Sequence, residues 1–319
     1  MSAAPLFITS PVIERTAHAL LLTLAMTVLL APAGGAGWLL AGLGLLLAAW
    51  PLLLAERALG LRARKPLLTG MQVLTREADA ARGWRVLAWS SLGASLLALT
   101  LMSLLAGLLA TQAVQTLAVG RVELPAGVQL WPVLTVVALL TALLRPLGKA
   151  PVLAWALPVA LLLGVLLLEA QRGAVTPLQT DILRLAALPP EAMLLVGALA
   201  LGGGLGVHWQ LASQDEPRLS PRALLLTLAV AVAVLAGLHV AAGLLAILLS
   251  FGVTLLAMTA LVQPALAVAR ARGLTPVMAL ALIFVPVVLL GEVIWFFGGL
   301  DALPELGCAL ALWMTLNLL

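Results

Sequence analysis

The sequence predicts an all-α integral membrane protein with about ten transmembrane helices. Three observations carry this. Of 319 residues, 63% are hydrophobic and 9% charged, whereas a soluble domain carries roughly 25% charged residues. The apolar residues fall into ten runs separated by charge or by Pro/Gly breaks. The basic residues between those runs alternate in a way that fits one insertion topology. A chain this apolar would expose large greasy patches in water. Helices satisfy their own backbone polar groups in lipid, and the ten-residue alternation of a membrane β-barrel is absent from the sequence.

The runs lie near residues 17–32, 36–56, 85–112, 127–144, 151–169, 190–211, 222–239, 242–269, 276–297 and 303–319. A span needs about 20 apolar residues, so the first and last are short. With the N-terminus in the cytoplasm, the inner segments hold Arg15, Arg57, Arg62, Arg64, Lys65, Arg76, Arg82, Arg85, Arg145, Lys149, Arg218, Arg222, Arg270 and Arg272. The outer segments hold Arg121, Arg172 and Arg184. Fourteen against three obeys the positive-inside rule, and an error of one span would scramble it. The net charge of +4 therefore reports topology and implies no nucleic-acid partner. The partner implied by the apolar composition is a lipid bilayer.

Residues 15–33 also resemble a signal peptide, with Arg15, an apolar stretch and the A-x-A-like Ala31-Pro32-Ala33. The retained first helix is favoured for a reason given below. Between spans five and six, "TPLQTDILRLAALPPEAM" carries Leu178, Ile182, Leu185 and Leu188 at helical spacing, as expected of a short outer amphipathic helix. The chain thus divides into residues 1–169, an outer loop at 170–189, and residues 190–319. Cys308 is the single cysteine, so no internal disulfide exists.

Ionisable residues within membrane spans mark functional sites by default, and they are scarce here. Glu56, at the inner end of span two beside Arg57, reads as an interfacial residue or a local ion pair ahead of a gating group. Glu292 lies within reach of the outer headgroups. His18 and His239 read as interfacial. His208 lies deepest and is the best candidate for proton chemistry, although a buried histidine bonded to a carbonyl is the commoner case. The sequence lacks HExxH, CxxC, GxSxG and Walker patterns, so no residue set supports an enzyme or a resident metal. No cofactor is expected.

The most informative stretch is "ALALGGGLGVHWQLASQ", residues 198–214. Glycine costs about 1 kcal/mol per residue against alanine in a helix. Small residues also serve close helix packing, but a packing face needs only every third or fourth position. Three consecutive glycines, Gly202 to Gly204, with Gly206 nearby, predict a discontinuous helix. In transporters such unwound backbone presents carbonyls and helix ends to ions and substrates.

Here the sequence resembles the neurotransmitter:sodium symporters, particularly their bacterial members. Gly202-Gly203-Gly204-Leu205-Gly206-Val207-His208 stands where that family's sixth helix carries an unwound S-L-S-L-G-x-G. A short loop and "PRALLLTLAVAVAVLAG" follow, as in the family. "WPLLLAERALG" (50–60) looks like the end of the second helix. "GWRVLAWSSLGASLLALTLMSLLAG" (83–107) resembles the third, "LVQPALAVARARGLTP" (261–276) the end of the eighth, and "GGLD" (298–301) the start of the tenth. "GGAGWLL" (34–40) resembles the turn after helix one, which makes 17–32 a helix rather than a cleaved signal. The resemblance covers essentially the whole chain and implies a leucine-transporter-type fold: two inverted repeats of five helices with helix six broken. Here ten spans match the ten core helices, without the usual eleventh and twelfth.

The family's functional residues transfer only in part. Where its first helix carries G-x-G-N-x-x-R-F-P, residues 24–32 read Leu-Ala-Met-Thr-Val-Leu-Leu-Ala-Pro. Pro32 is kept, Thr27 replaces the sodium-ligating Asn and Leu30 the outer-gate Arg. By resemblance the substrate positions are Thr23, Thr27, Met102, Gly202, Gly204, Gly206 and His208. The ion positions are Thr27, Gly202, Leu256, Ala257 and Thr259. Met102 stands for a substrate-binding Tyr in a chain with no tyrosine. Leu256 and Ala257 stand for hydroxyl ligands, with Thr254 and Thr259 displaced along the helix. The gate Asp of helix ten falls near Pro304, next to Glu305. A dehydrated sodium ion needs oxygen ligands, so backbone carbonyls at the helix-six break would have to supply some. A half-helix N-terminus could still attract an amino-acid carboxylate.

Two functions follow. One is a secondary transporter for amino acids or a similar small solute, coupled to sodium through backbone oxygens or to protons through His208. The other is a transport-incompetent relative acting as a structural or regulatory subunit, which would require a membrane-protein partner or self-association. The transporter resemblance places the chain in a bacterial cytoplasmic membrane.

Overall fold

The structure, a computed structural model, describes residues 43, 45–76, 82–117, 130–144, 203–213 and 244–297, and parts of 306–313. Among the described residues the regular structure is helical throughout, with no strand. The first span, the outer amphipathic segment, most of spans five to seven and the 5+5 repeat lie outside the described residues.

A π-helical run at Leu45–Ala49 leads into helix α1, Trp50–Ala63, with Pro51 in its first turn, where a missing N–H costs nothing. The second apolar run ends at residue 56 in the sequence, but the helix continues to Ala63. Its continuation is buried, with Glu56, Arg57, Gly60 and Ala63 all inside. Arg64 ends it in the left-handed region (φ 48°), its N–H donating to the Gly60 carbonyl at 2.9 Å, and Pro66 prevents resumption. Helix α2, Leu67–Leu74, is a short element that stops at Thr75, whose hydroxyl donates to the Met71 carbonyl at 2.7 Å.

A 3-10 turn at Arg82–Trp84 introduces helix α3, Arg85–Leu117. Helix α4 spans Trp131–Leu144, α5 Val207–Ser213, α6 Leu244–Ala271 and α7 Pro276–Phe297. The α6–α7 corner has two local causes. Gly273 adopts φ 71°, and the Leu274 N–H reaches the Ala269 carbonyl at 3.1 Å, satisfying a carbonyl that the helix end would orphan. Thr275 then caps α7 through Oγ1, which accepts from the Met278 N–H at 3.3 Å, with Pro276 in the first helical position. The bounds of α7 are those of the ninth apolar run.

Helix α3 is the central element. Its small residues Ala94, Ala98 and Ala106 are fully buried, which lets α4, α6 and α7 approach it. One apolar cluster joins α3 to α6, α4 and α7. Ser95 Oγ donates to the Leu261 carbonyl at 2.8 Å, tying α3 to α6. Gln263 Nε2 donates to the Ala142 carbonyl at 3.1 Å, tying α6 to α4. Other hydroxyls turn back on their own helices. Thr100, Ser103, Thr111 and Thr135 each bond the carbonyl four residues earlier, which satisfies them without any partner helix.

Helix α7 is peripheral. Ala279, Ile283, Val287, Gly291 and Ile294 form its buried stripe, repeating every three or four residues as one helix face does. Gly291 receives the Trp131 ring so closely that a Cβ there would lie 2.5 Å from it. The opposite face, including Val277, Leu282, Leu289, Val293, Phe296 and Phe297, is exposed and apolar. Two helices among the described residues, α3 over Arg85–Thr111 and α7, are long and apolar enough to cross a bilayer. With the overall composition, an exposed apolar face of this length identifies an integral membrane protein.

Candidate functional site

The glycine-rich stretch is not helical where it is described. Residues 203–206 form a turn, with Gly204 at φ 85° and Gly206 at φ 79°. An L-residue pays roughly 1–2 kcal/mol to enter that region, so glycine is required by the backbone itself. Helix α5 starts directly after the turn. Its first intrahelical bond runs from the Gln210 N–H to the Gly206 carbonyl at 3.0 Å.

A turn buried this deeply leaves N–H groups that water cannot reach, and each must find an acceptor. Glu56 supplies it from α1. Its Oε2 accepts from the Gly204 N–H at 2.6 Å and its Oε1 from the Trp209 N–H at 2.9 Å. The amides of Gly206 and His208 face the same carboxylate. One side chain therefore fastens both the turn and the first turn of the helix after it. The sequence expectation for Glu56, an interfacial group, is corrected here. It is 2% exposed, because the glycine turn and the start of α5 pack over it. The same contact revises the expectation that this half-helix N-terminus attracts a substrate carboxylate. Its donors already hold a carboxylate, that of Glu56.

Two further contacts lock the arrangement. The Trp209 indole, 2% exposed, donates from Nε1 to the Lys65 carbonyl at 2.9 Å, reaching the corner between α1 and α2. Gly60 on α1 lies against the Trp209 backbone, and a Cβ there would come within 2.6 Å of the Trp209 carbonyl oxygen. Gly203 approaches Leu52 and the Leu53 amide in the same way. Helix α5 thus seats on α1 backbone to backbone, at a distance only glycine permits. Neither Glu56 nor Trp209 was legible as a partner of the glycine run. The signal was present in the sequence as a carboxylate inside an apolar span and a polar-aromatic His-Trp-Gln directly after the break.

Of the positions expected to bind substrate, Met102, Gly204, Gly206 and His208 lie in the described residues. Met102 and His208 are fully buried. Met102 on α3, Leu205 within the turn, Val207 at the start of α5, and Ala257 and Met258 on α6 belong to one buried cluster. The turn, α3 and α6 thus share one apolar core. Thr259 is partly buried on α6, and Leu256 lies in the same helix. Thr23, Thr27 and Gly202 lie outside the described residues. Among the described residues, no group of three His, Cys, Asp or Glu side chains could hold a metal ion.

No protein-family model matches the sequence, and no curated protein matches it. The three-dimensional structure does match solved structures. It superposes on the crystal structure of MhsT in complex with L-phenylalanine with a TM-score of 0.64 at 14% sequence identity, over 95% of this chain and 87% of that one. A match of this extent at so low an identity is a statement about fold, and MhsT is a sodium-dependent member of the symporter family that the glycine run resembles. The chain has the fold of the neurotransmitter:sodium symporters.

Proposed function

We propose that this protein is a secondary transporter that moves an amino acid or a similar small solute across the membrane, coupled to sodium or to protons. The observation that carries this is the buried glycine turn at 203–206, held open by Glu56 within a fold shared with a transporter. A continuous helix would bury its backbone groups in its own ladder. A turn whose amides are held by a buried carboxylate interrupts that ladder at membrane depth and frees carbonyls from it, and that is useful chiefly where a polar cargo passes.

The solute lies beside the turn, against Met102 of α3 and the Ala257 segment of α6, and the resemblance adds Thr23 and Thr27 of the first span to the site. Met102 and Ala257 offer apolar contact and no hydroxyl, which favours a solute with an apolar side chain. Sodium, as co-transported cargo, takes backbone oxygens near Gly202 and hydroxyls at Thr27 and Thr259. In a proton-coupled cycle, His208 is the group that takes the proton, since a single basic nitrogen suffices where sodium needs a cage.

The test is uptake of radiolabelled L-phenylalanine and L-leucine into proteoliposomes. An inward sodium gradient, an inward proton gradient and no gradient are compared. Saturable accumulation under one gradient, abolished by its ionophore, is the expected result. Uptake equal to protein-free liposomes across a full amino-acid panel, from protein that is folded by thermal unfolding, overturns the proposal.

A further inference from the structure

A cavity opens against the turn itself, with Gly204, Gly206 and Trp209 in its lining. It is a groove of about 310 Å³ between α2, the start of α3 and the inner face of α1. A volume of this order is at the lower end for small-molecule sites. Its walls are apolar along most of their length, formed by Leu67, Met71 and Leu74 from one side and Leu87 and Ala88 from the other. Glu56 lines its deep end and Trp84 its mouth. Trp84 is 51% exposed, whereas Glu56 is 2% exposed, so the groove runs from the membrane–water boundary inward.

The mouth is basic. Thr75 lines the groove, and Arg85 donates from Nε to Thr75 Oγ1 at 3.0 Å. That bond uses one of the five guanidinium donors and holds the group at the rim. Arg76 follows Thr75 and is exposed. The level of this rim is marked by tryptophan. Trp84 and Trp89 are both about half exposed, Arg272 lies over the Trp89 ring at 5.4 Å, and Trp313 donates from Nε1 to Ser90 Oγ at 2.6 Å. Tryptophan and arginine together sit at the headgroup level of a bilayer. This is also the side on which the sequence concentrates its basic residues.

An apolar slot that opens at headgroup depth beside arginines matches a molecule with a greasy tail and an anionic head. We infer that the groove between α2 and α3 holds an acyl chain of an anionic phospholipid, with its phosphate at Arg85. The apolar walls admit the tail and the arginine beside the rim holds the anionic head, so the tail goes inward. The guanidinium fork recognises phosphate oxygens in pairs. A lipid seated here packs directly on α2, whose corner with α1 carries the Lys65 carbonyl bound by Trp209.

The experiment uses the full-length protein in phosphatidylcholine nanodiscs doped with a photoactivatable lipid, its diazirine on the acyl chain. Phosphatidylglycerol and phosphatidylcholine probes are compared at equal mole fraction, and adducts are mapped by mass spectrometry. The expected result is adducts on residues 67–76 and 84–91, at least about fivefold more with the phosphatidylglycerol probe. Millimolar glycerol phosphate should not compete, which separates a membrane lipid from a free phosphate. Arg85→Gln should bring the two probes to parity without lowering the unfolding temperature of the lipid-free protein. Leu87→Trp, which fills the slot, should abolish adducts at Met71 and Leu74. Adducts confined to the outer face of α7, equal labelling by both probes, displacement by glycerol phosphate, or an unchanged preference in Arg85→Gln would each overturn the inference. No readout depends on transport, so a failed uptake assay and a failed labelling assay are separate results.

Discussion

The amide of Trp209 donates to the carboxylate of Glu56 across 153 residues of sequence, at 2.9 Å, and the Gly204 amide donates to the same group at 2.6 Å. A single side chain from α1 therefore closes the hydrogen-bond account of a buried turn. Leaving one buried donor without an acceptor costs roughly 1–3 kcal/mol. Glu56→Ala removes the acceptor for two amides and should lower stability by about 2–5 kcal/mol, with loss of solute uptake. Glu56→Gln keeps one oxygen and should fall between Ala and the parent. Thermal unfolding in detergent checks the order. If Glu56→Ala melts with the parent, the carboxylate does not hold the turn.

Gly60 tests the seating of α5 on α1. A Cβ at Gly60 would sit 2.6 Å from the Trp209 carbonyl oxygen, which is backbone and cannot swing aside. Gly60→Ala should therefore cost about 1–3 kcal/mol by overpacking. Gly83, with nothing within 4 Å of its would-be Cβ, is the internal control, and Gly83→Ala should change stability by less than about 0.5 kcal/mol. Equal behaviour of the two variants in the same unfolding assay would contradict the close approach.

Gly206 tests the turn itself. It combines φ 79° with the Leu67 side chain 2.9 Å from a built Cβ. Gly206→Ala should lose about 1–2 kcal/mol to the left-handed backbone alone. Leu67→Ala in the same chain relieves the steric part but not the backbone part. A double variant that recovers fully would mean that crowding, rather than backbone geometry, demands glycine there.

Trp131 anchors the lipid-facing side of the bundle. It is 2% exposed and lies against both Gly107 and Gly291, so it fills the junction of α3, α4 and α7. Trp131→Ala should destabilise by roughly 3–5 kcal/mol and should leave the relative preference among solutes unchanged, since Trp131 is not among the expected solute contacts. Unfolding and competition uptake measured side by side would expose any error in that separation.

Ligand linkage offers a check that needs no transport. A solute that binds only the folded protein raises stability by about 2.7 kcal/mol at a hundred times its dissociation constant. Unfolding in sodium and in potassium at equal ionic strength, with and without L-phenylalanine, should show an upward shift specific to one cation and enlarged by the amino acid. An equal melting temperature in all four conditions, at pH 6 and at pH 8, would count against both sodium and proton coupling.

Much of the architecture is legible in the linear chain because its signals are local. Thr275 and Pro276 announce the start of α7, and an unbroken apolar run carries it to Phe297. The glycine run announces the turn at 203–206, since three glycines in succession are poor helix formers and sit at membrane depth. Composition alone assigns the lipid environment, because too few charges exist to cover a water-facing surface. The alternation of basic residues needs nothing beyond the order of the spans.

Glu56 is where local signals end. In the sequence its neighbours are Ala55 and Arg57 and its position suggests a headgroup contact. Its partners are the amides of Gly204 and Trp209, 148 and 153 residues away, and an amide carries no residue identity that a sequence could display. The extension of α1 to Ala63 has the same origin, since the reason to continue is burial against Trp209. Periodicity and composition decide which segments become helices and that they live in lipid, because both follow from each residue's own transfer free energy and backbone preference. Which carboxylate satisfies a broken helix, and how closely two backbones meet, depends on groups brought together only by folding, and there the three-dimensional structure alone decides.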